Sequence, residues 1–156
     1  MKDMGIRPEL EVFDLGMINY AKYLIKKGLL TPPYYFNIIL GNIACAQADM
    51  LHLALMIKEL PKESIWSVGG VGNPQLRMNL LSIASGGGVR VGLEDNIWFD
   101  EERKNLASNF SLVKRIVSIA DTLGKRPYSP REARELLQLK INNKMYALCL
   151  QTGTYG

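Results

Sequence analysis

Residues 65–76, Ile-Trp-Ser-Val-Gly-Gly-Val-Gly-Asn-Pro-Gln-Leu, place an apolar run, a glycine-rich turn and a helix start in immediate succession. The run at 65–68 predicts a buried strand bounded by turn residues. Asn73 suits the N-cap of the next helix and Pro74 its first position, where no amide hydrogen is needed. We expect this helix to extend to about Ala84. The stretch therefore predicts a strand followed directly by a helix, the repeating unit of α/β proteins.

The same order of strand and helix recurs on both sides of this unit. Three further apolar runs, bounded by proline, glycine or charged residues, predict strands at residues 10–15, 35–40 and 89–93. Four successive βα units imply a parallel sheet with right-handed crossovers. The residues themselves leave two architectures open: a small doubly wound domain, or half of a (β/α)8 barrel whose full length is typically about 250 residues.

Helices are predicted after each strand because glycine or proline stands where the apolar period ends. Gly28, Pro61 and Gly124 end the first, second and fourth helices. On the fourth helix, five side chains are expected to face inward: Leu112, Val113, Ile116, Val117 and Ala120. Ser129 and Glu132 have the spacing of a capping box, which opens a closing helix through residue 139.

Length, composition and cysteine usage favour one globular domain in a reducing compartment. The chain has 156 residues, of which 47% are hydrophobic and 22% charged, as in ordinary globular domains. Cys45 and Cys149 fit neither a paired zinc motif nor a disulfide framework. No signal peptide is visible at the N-terminus, and proline and glycine interrupt the uncharged stretch at 28–48. We therefore expect a cytoplasmic protein with no membrane partner.

Positive charge is concentrated in the C-terminal third. From Arg103 onward the chain carries +7, although the net charge of the whole is only +4. Such a region can bind nucleic acid by neutralising phosphates, but it contains no known nucleic-acid-binding motif. We interpret the charge as the solvated surface of helices and expect no nucleic-acid partner.

The densest group of polar residues follows the fourth predicted strand, in Val-Arg-Val-Gly-Leu-Glu-Asp-Asn at 89–96. Reactive side chains gather at the carboxyl ends of parallel strands. By the strand period of two, Arg90 and Glu94 share a face, and Asp95 begins the loop. Arg90 suits a carboxylate or oxyanion, Glu94 a metal ion and Asp95 proton transfer. The alternative is a buried ion pair of Arg90 with Glu94 or Asp95 that closes the strand end.

The turn at 69–72 is a second candidate site. Free amides at a helix N-terminus favour anions, so Gly70 and Gly72 are candidate cofactor-binding residues. The turn matches no phosphate-binding fingerprint, and a simple tight βα turn is the alternative interpretation. His52 is the only histidine and lies within a predicted helix, where a helix-surface or packing role is expected rather than ligand binding or catalysis.

Four segments of the chain together resemble the β-keto acid cleavage enzyme family, which includes 3-keto-5-aminohexanoate cleavage enzymes. The segments lie at residues 7–16, 65–76, 87–96 and 129–139, and the Gly-Leu-Glu-Asp-Asn run at 92–96 is the most specific. Members are complete (β/α)8 barrels, and this chain is similar only to the last four βα units. The resemblance therefore implies an α/β fold whose parallel βα units form the second half of a TIM barrel over residues 1–139. Residues 140–156 are expected to be a loosely attached tail.

The resemblance also implies a reaction and residue roles. Family members bind a divalent metal, usually zinc, and convert a β-keto acid and acetyl-CoA to acetoacetate and a new CoA thioester. Glu94 corresponds to a zinc ligand, and Arg90 and Asp95 to a catalytic arginine–aspartate pair. Zinc would polarise the keto group, and Arg90 would orient Asp95 to take a proton.

Departures from the family pattern limit what the chain does by itself. The His-x-His pair that completes the zinc site in the family has no counterpart here, and Asn73 and Arg77 replace the usual arginine and proline. Two hypotheses follow: an enzyme portion that is inactive without an N-terminal half-barrel chain, or a non-catalytic remnant that self-associates. In either case open sheet edges predict that the chain is not a monomer.

Overall fold

The computed structural model describes Met1 and residues 4–139. The described residues divide into two compact units, one spanning Pro8–Pro127 and a smaller one that includes residues 4–7 and 128–139. The tail predicted at 140–156 lies outside the described residues, so the proposed boundary at residue 139 stays a prediction. Among the described residues, none of the helices has the length and apolar character needed to cross a membrane.

The larger unit alternates strands and helices along the chain. Its elements are β1 (Glu9–Val12), α1 (Leu15–Lys26), β2 (Tyr34–Leu40), α2 (Met50–Glu59), β3 (Ser64–Gly70), α3 (Pro74–Ala84), β4 (Gly88–Val89) and α4 (Asn109–Thr122). The strands form one parallel sheet in the order β1-β2-β3-β4. This topology confirms the four predicted βα units and is consistent with part of a (β/α)8 barrel. The smaller unit contains α5 (Pro130–Leu136).

The two faces of the sheet differ in chemistry. Residues of β1, β2 and β3 pack with side chains of α1, α2 and α3 in a single apolar core: Val12, Ile18, Ala21, Phe36, Ile38, Leu40, Leu53, Met56, Val68 and Met78. Alternate residues point to the opposite face, where the Asn37 amide donates to Glu9 (2.9 Å) and the Ser67 hydroxyl donates to Asn37 (3.1 Å). A doubly wound sheet packs helices on both faces, so one apolar and one polar face favour the wall of a barrel.

Local signals explain where most helices begin and end. Asp14 caps α1 by accepting a hydrogen bond from Met17 N at 2.9 Å, which ends β1 earlier than predicted. Gly28 and Gly124 both have positive φ, at 71° and 65°, as predicted for glycines that end helices. The predicted capping box at Ser129 is confirmed, although α5 ends before residue 139.

Two predictions about the elements are wrong. β4 contains two residues rather than the five predicted at 89–93, because its pairing with β3 stops at Val89. Val113 and Val117 do not face inward: they are 47% and 39% exposed. Only the narrow stripe of α4 that includes Leu112 and Ile116 is buried, and the two valines lie one residue further round the helix.

Candidate active site

Arg90 follows β4 directly and is held over the end of β3. Its backbone N donates to Val68 O at 3.0 Å. The aliphatic part of its side chain crosses Gly69, where an added Cβ would lie only 3.3 Å from Arg90 Cβ. The glycine therefore leaves room for the arginine to lie across the sheet.

The Arg90 guanidinium contacts three carboxylates. Asp95 accepts two hydrogen bonds, Nε to Oδ2 at 2.8 Å and Nη2 to Oδ1 at 3.3 Å, which makes the pair bidentate. Nη1 donates to Glu11 Oε1 at 2.8 Å, and Nη2 lies 3.1 Å from Glu94 Oε1. Hydrogen bonding to Asp95 raises the pKa of Arg90, with smaller raising contributions from the Glu94 and Glu11 charges. The guanidinium is thus a fixed cation that organises an acidic cluster.

A tight turn brings Glu94 and Asp95 back toward Arg90. The amides of Asp95 and Asn96 both donate to Gly92 O, at 3.3 and 3.2 Å. The prediction that Arg90 and Glu94 share a strand face is wrong, because β4 ends at Val89, before either residue. Their side chains meet through the turn instead. The predicted ion pair of Arg90 with Asp95 is present. The pair is common to the structural and the catalytic interpretations, so its presence does not choose between them.

The carboxylates differ in exposure. The Asp95 side chain is 9% exposed, whereas that of Glu94 is 84% exposed. Asp95 is therefore sheltered from bulk water and fixed by two hydrogen bonds, as a proton-transfer group should be. Glu94 reaches solvent and is available to an incoming ligand.

Glu11 is the site residue that the sequence analysis missed. It lies on β1, in register with Asn37 of β2, on the polar face of the sheet. The available signal was weak: two acidic residues, Glu9 and Glu11, alternate along a predicted strand, which places both on one face. Its contact with Arg90 spans 79 positions of the chain.

The glycine-rich turn at 69–72, which joins β3 to α3, contacts the site. An added Cβ at Gly70 would lie 3.0 Å from Gln75 N, so this glycine permits the close approach of the helix. The Gly72 amide donates to Asp95 O at 2.7 Å, and Gly72 has a φ of 71°. The role of Gly70 and Gly72 in cofactor binding stays a prediction. Gly72 also fixes the backbone of Asp95 through its amide hydrogen bond.

Asn73 stands at the N-cap of α3, as predicted, but its side chain does not cap the helix. Instead its Nδ2 donates to Glu101 O at 3.2 Å, and its Oδ1 accepts from Arg103 Nε at 3.0 Å. Asn73 therefore ties the loop before α4 to the start of α3. His52 lies on α2 with its side chain 39% exposed, and it accepts a hydrogen bond from Gln47 N at 2.8 Å, as a helix-surface histidine can.

Consecutive βα units, with helices packed on one face of a parallel sheet and a charged cluster at its carboxyl end, fit the class of (β/α)-barrel proteins. The family model of the beta-keto acid cleavage enzymes matches residues 1–139. The chain belongs to this family, and the resemblance of its motifs is confirmed.

Three relatives illustrate the similarity. The chain is 44% identical over 139 residues to 3-keto-5-aminohexanoate cleavage enzyme of Fusobacterium nucleatum subsp. nucleatum, covering 88% of this chain and 50% of that protein. It is 39% identical over 133 residues to the enzyme of the same name from Acetoanaerobium sticklandii, covering 85% and 48%. It is 32% identical over 139 residues to 3-dehydrocarnitine:acetyl-CoA trimethylamine transferase of Rhizobium meliloti, covering 89% and 46%. The chain thus spans about half the length of the curated relatives it matches.

Proposed function

We propose that this chain is the C-terminal portion of an enzyme that converts a β-keto acid and acetyl-CoA to acetoacetate and an acyl-CoA. The observation that carries the proposal is the match of the beta-keto acid cleavage enzyme family to residues 1–139, and the bidentate Arg90–Asp95 pair at the end of β4 supplies side chains suited to the reaction. Family membership supports the substrate classes, as do the names of two relatives, one of which states 3-keto-5-aminohexanoate and the other 3-dehydrocarnitine with acetyl-CoA. The alternative is a non-catalytic half barrel that self-associates.

Asp95 is the proposed base. Each carboxylate oxygen has two lone pairs, so both oxygens can accept from Arg90 and still have capacity to take a proton. Arg90 fixes the plane of the carboxylate, since a guanidinium holds it at two points. The pair can then receive a proton from the acidic carbon between the keto and carboxyl groups of a β-keto acid, which is general-base catalysis.

Glu94 is the proposed ligand of a zinc ion. Its exposed carboxylate contacts Arg90 through Oε1 and fits the role of one ligand. The described residues include no group of three or more His, Cys, Asp or Glu that could hold a metal ion, so this part of the chain does not supply a complete site. We propose that an N-terminal half barrel supplies the other ligands. When bound, zinc would polarise the keto oxygen as a Lewis acid.

The partner proposal rests on the open sides of the larger unit. Along β1 and α1 lies a cavity of about 430 Å³, lined in part by Val12, Tyr20 and Leu24. At the other end of the sheet, Phe110, Val113 and Val117 of α4 are exposed. Unpaired strand edges and apolar flanks favour association with another part of a sheet. A chain that carries the first half of the barrel is the proposed occupant, and a second copy of this chain is the alternative.

A complementation assay tests the function. This chain is co-expressed with the half of the Fusobacterium nucleatum relative that the alignment leaves uncovered, and acetoacetate is measured with acetyl-CoA and 3-keto-5-aminohexanoate or 3-dehydrocarnitine. We expect product from the paired halves and from neither half alone. A stable complex of the two halves that cleaves none of the β-keto acids would reject the proposal. A homo-oligomer that excludes the other half would favour the non-catalytic alternative.

Zinc binding gives a separate prediction. Dialysed chain alone is expected to hold less than one zinc per chain, and the complemented barrel about one, because a zinc site needs three or four protein ligands. Glu94→Gln should remove zinc from the complemented barrel, whereas Glu102→Gln, an exposed residue paired with Lys104, should not. Metal content is measured by mass spectrometry. Tight stoichiometric zinc on the isolated chain, or full zinc in the Glu94 variant, would contradict the assignment.

A further inference from the structure

The helix α3 buries a polar face rather than an apolar one toward β4. Gln75, Asn79 and Ser82 recur at spacings of four and three residues, which places them on one side of the helix. All three are 0% exposed. Amide side chains are rarely buried to this extent, so their partners indicate what they do.

All three side chains donate to backbone carbonyls of residues 88–92, which include β4 and the three residues after it. Gln75 Nε2 donates to Gly92 O at 3.0 Å. Asn79 Nδ2 donates to Arg90 O and to Val68 O, both at 2.9 Å. The Ser82 hydroxyl donates to Gly88 O. The acceptors are therefore the alternate carbonyls of residues 88, 90 and 92.

This arrangement replaces a missing part of the sheet. The pairing of β4 with β3 ends at Val89, so the carbonyls of Arg90 and Gly92 lie beyond the ladder. A neighbouring strand would normally donate to such groups, which must be paired when buried. Here Asn79 and Gln75 supply the donors as far as Gly92, where the turn that carries Asp95 begins.

The two amides make these bonds at a cost. Asn79 Oδ1 and Gln75 Oε1 are buried and have no hydrogen-bond partner within the described part of the chain. Rotating either amide would turn its oxygen toward a carbonyl oxygen, so the observed orientation is the favourable one. An unpaired buried oxygen lowers stability, and an apolar side chain would avoid it. The amides are thus better explained by the placement of residues 90–92 than by core stability.

We propose that Asn79 and Gln75 are positioning residues for the Arg90–Asp95 pair. Asn79 fixes the carbonyl of Arg90 itself, and Gln75 fixes Gly92, whose carbonyl also accepts the Asp95 amide. Together they set the distance and angle at which the guanidinium meets the carboxylate. The assignment of this role to catalysis rests on the proposed function of the pair, whereas the positioning itself does not.

NMR of the full chain labelled with ¹⁵N-arginine tests the positioning. The Arg90 Nε–H donates to Asp95 and should exchange slowly with solvent; Arg90→Lys identifies its resonance. Asn79→Leu, which keeps the number and branching of the side-chain heavy atoms but removes both donors, is expected to speed this exchange about tenfold or more by local opening. Ser82→Ala is the matched control on the same helix face, and we expect less than about a twofold change because its bond lies within β4.

Gln75→Met is the second variant, and it too is expected to speed the exchange of the Arg90 Nε–H. It provides the test if Asn79→Leu does not fold. Folded variants in which the Arg90 Nε–H exchanges as slowly as in the unaltered chain would overturn the proposal. In the complemented barrel, Asn79→Leu should lower kcat and leave KM unchanged. If the unaltered complemented barrel cleaves no β-keto acid, the proposed function fails, while the exchange measurement still decides the positioning.

Discussion

Replacing Asp95 by asparagine is expected to reduce kcat of the complemented barrel by about a hundred- to ten-thousand-fold, the range for loss of a general base. The asparagine oxygen can still accept a hydrogen bond from Arg90, but the amide cannot take a proton from carbon. Because Asp95 is nearly buried and Glu94 is exposed, we expect the zinc content to be unchanged. Turnover and metal content are measured on the same preparations.

The matched control is Asp121→Asn, on the exposed part of α4, which should leave turnover within about twofold of the unaltered barrel. Retention of most activity by the Asp95 variant would remove Asp95 from the mechanism. Loss of zinc from the Asp95 variant, with zinc retained by Glu94→Gln, would mean that the two roles are reversed.

Gly87→Ala is expected to destabilise the unit Pro8–Pro127 by about 1–3 kcal/mol, as overpacking does. An added Cβ at Gly87 would lie 2.0 Å from Cζ3 of Trp66, on β3. Trp66 is partly buried and packs against the apolar core, so moving its ring aside would disrupt those contacts. The free energy of unfolding is measured by urea denaturation followed by far-UV circular dichroism, which needs no tryptophan reporter.

Gly88→Ala is the control, because its Cβ would meet Ser67 Cβ at an ordinary 3.4 Å. Neither glycine has a positive φ, so the comparison isolates the steric effect. In a Trp66→Leu background, Gly87→Ala should lower the free energy of unfolding by less than it does when the Trp66 ring is present. Equal stability of the two alanine variants would show that the ring moves freely.

Local signals in the sequence were sufficient for the order of the elements. Gly28, Gly124 and the capping box at Ser129 act through a few neighbouring residues, so their effect is visible in the sequence. The position of Arg90 and Asp95 could be predicted in the same way, because they lie only five positions apart and a turn joins them.

Long-range contacts could not be predicted. Glu11 reaches Arg90 across the whole sheet, and no local pattern connects the two. The polar face of α3 was also missed, because Asn79 and Gln75 interrupt the apolar period that identifies a packed helix. The early end of β4 has the same cause, since side chains of α3 take the place of strand pairing after Val89.

The ion pair between Glu11 and Arg90 has a mechanical consequence for the sheet. Glu11 lies on the first strand and Arg90 just after the last, so a flat sheet would separate their backbones by about 14 Å, three strand spacings. Their side-chain atoms nevertheless meet at 2.8 Å. The pair spans the polar face from β1 to the residue that follows β4, and it resists separation of the two outer strands. The two edges of the sheet are thus linked directly through Arg90 as well as through β2 and β3.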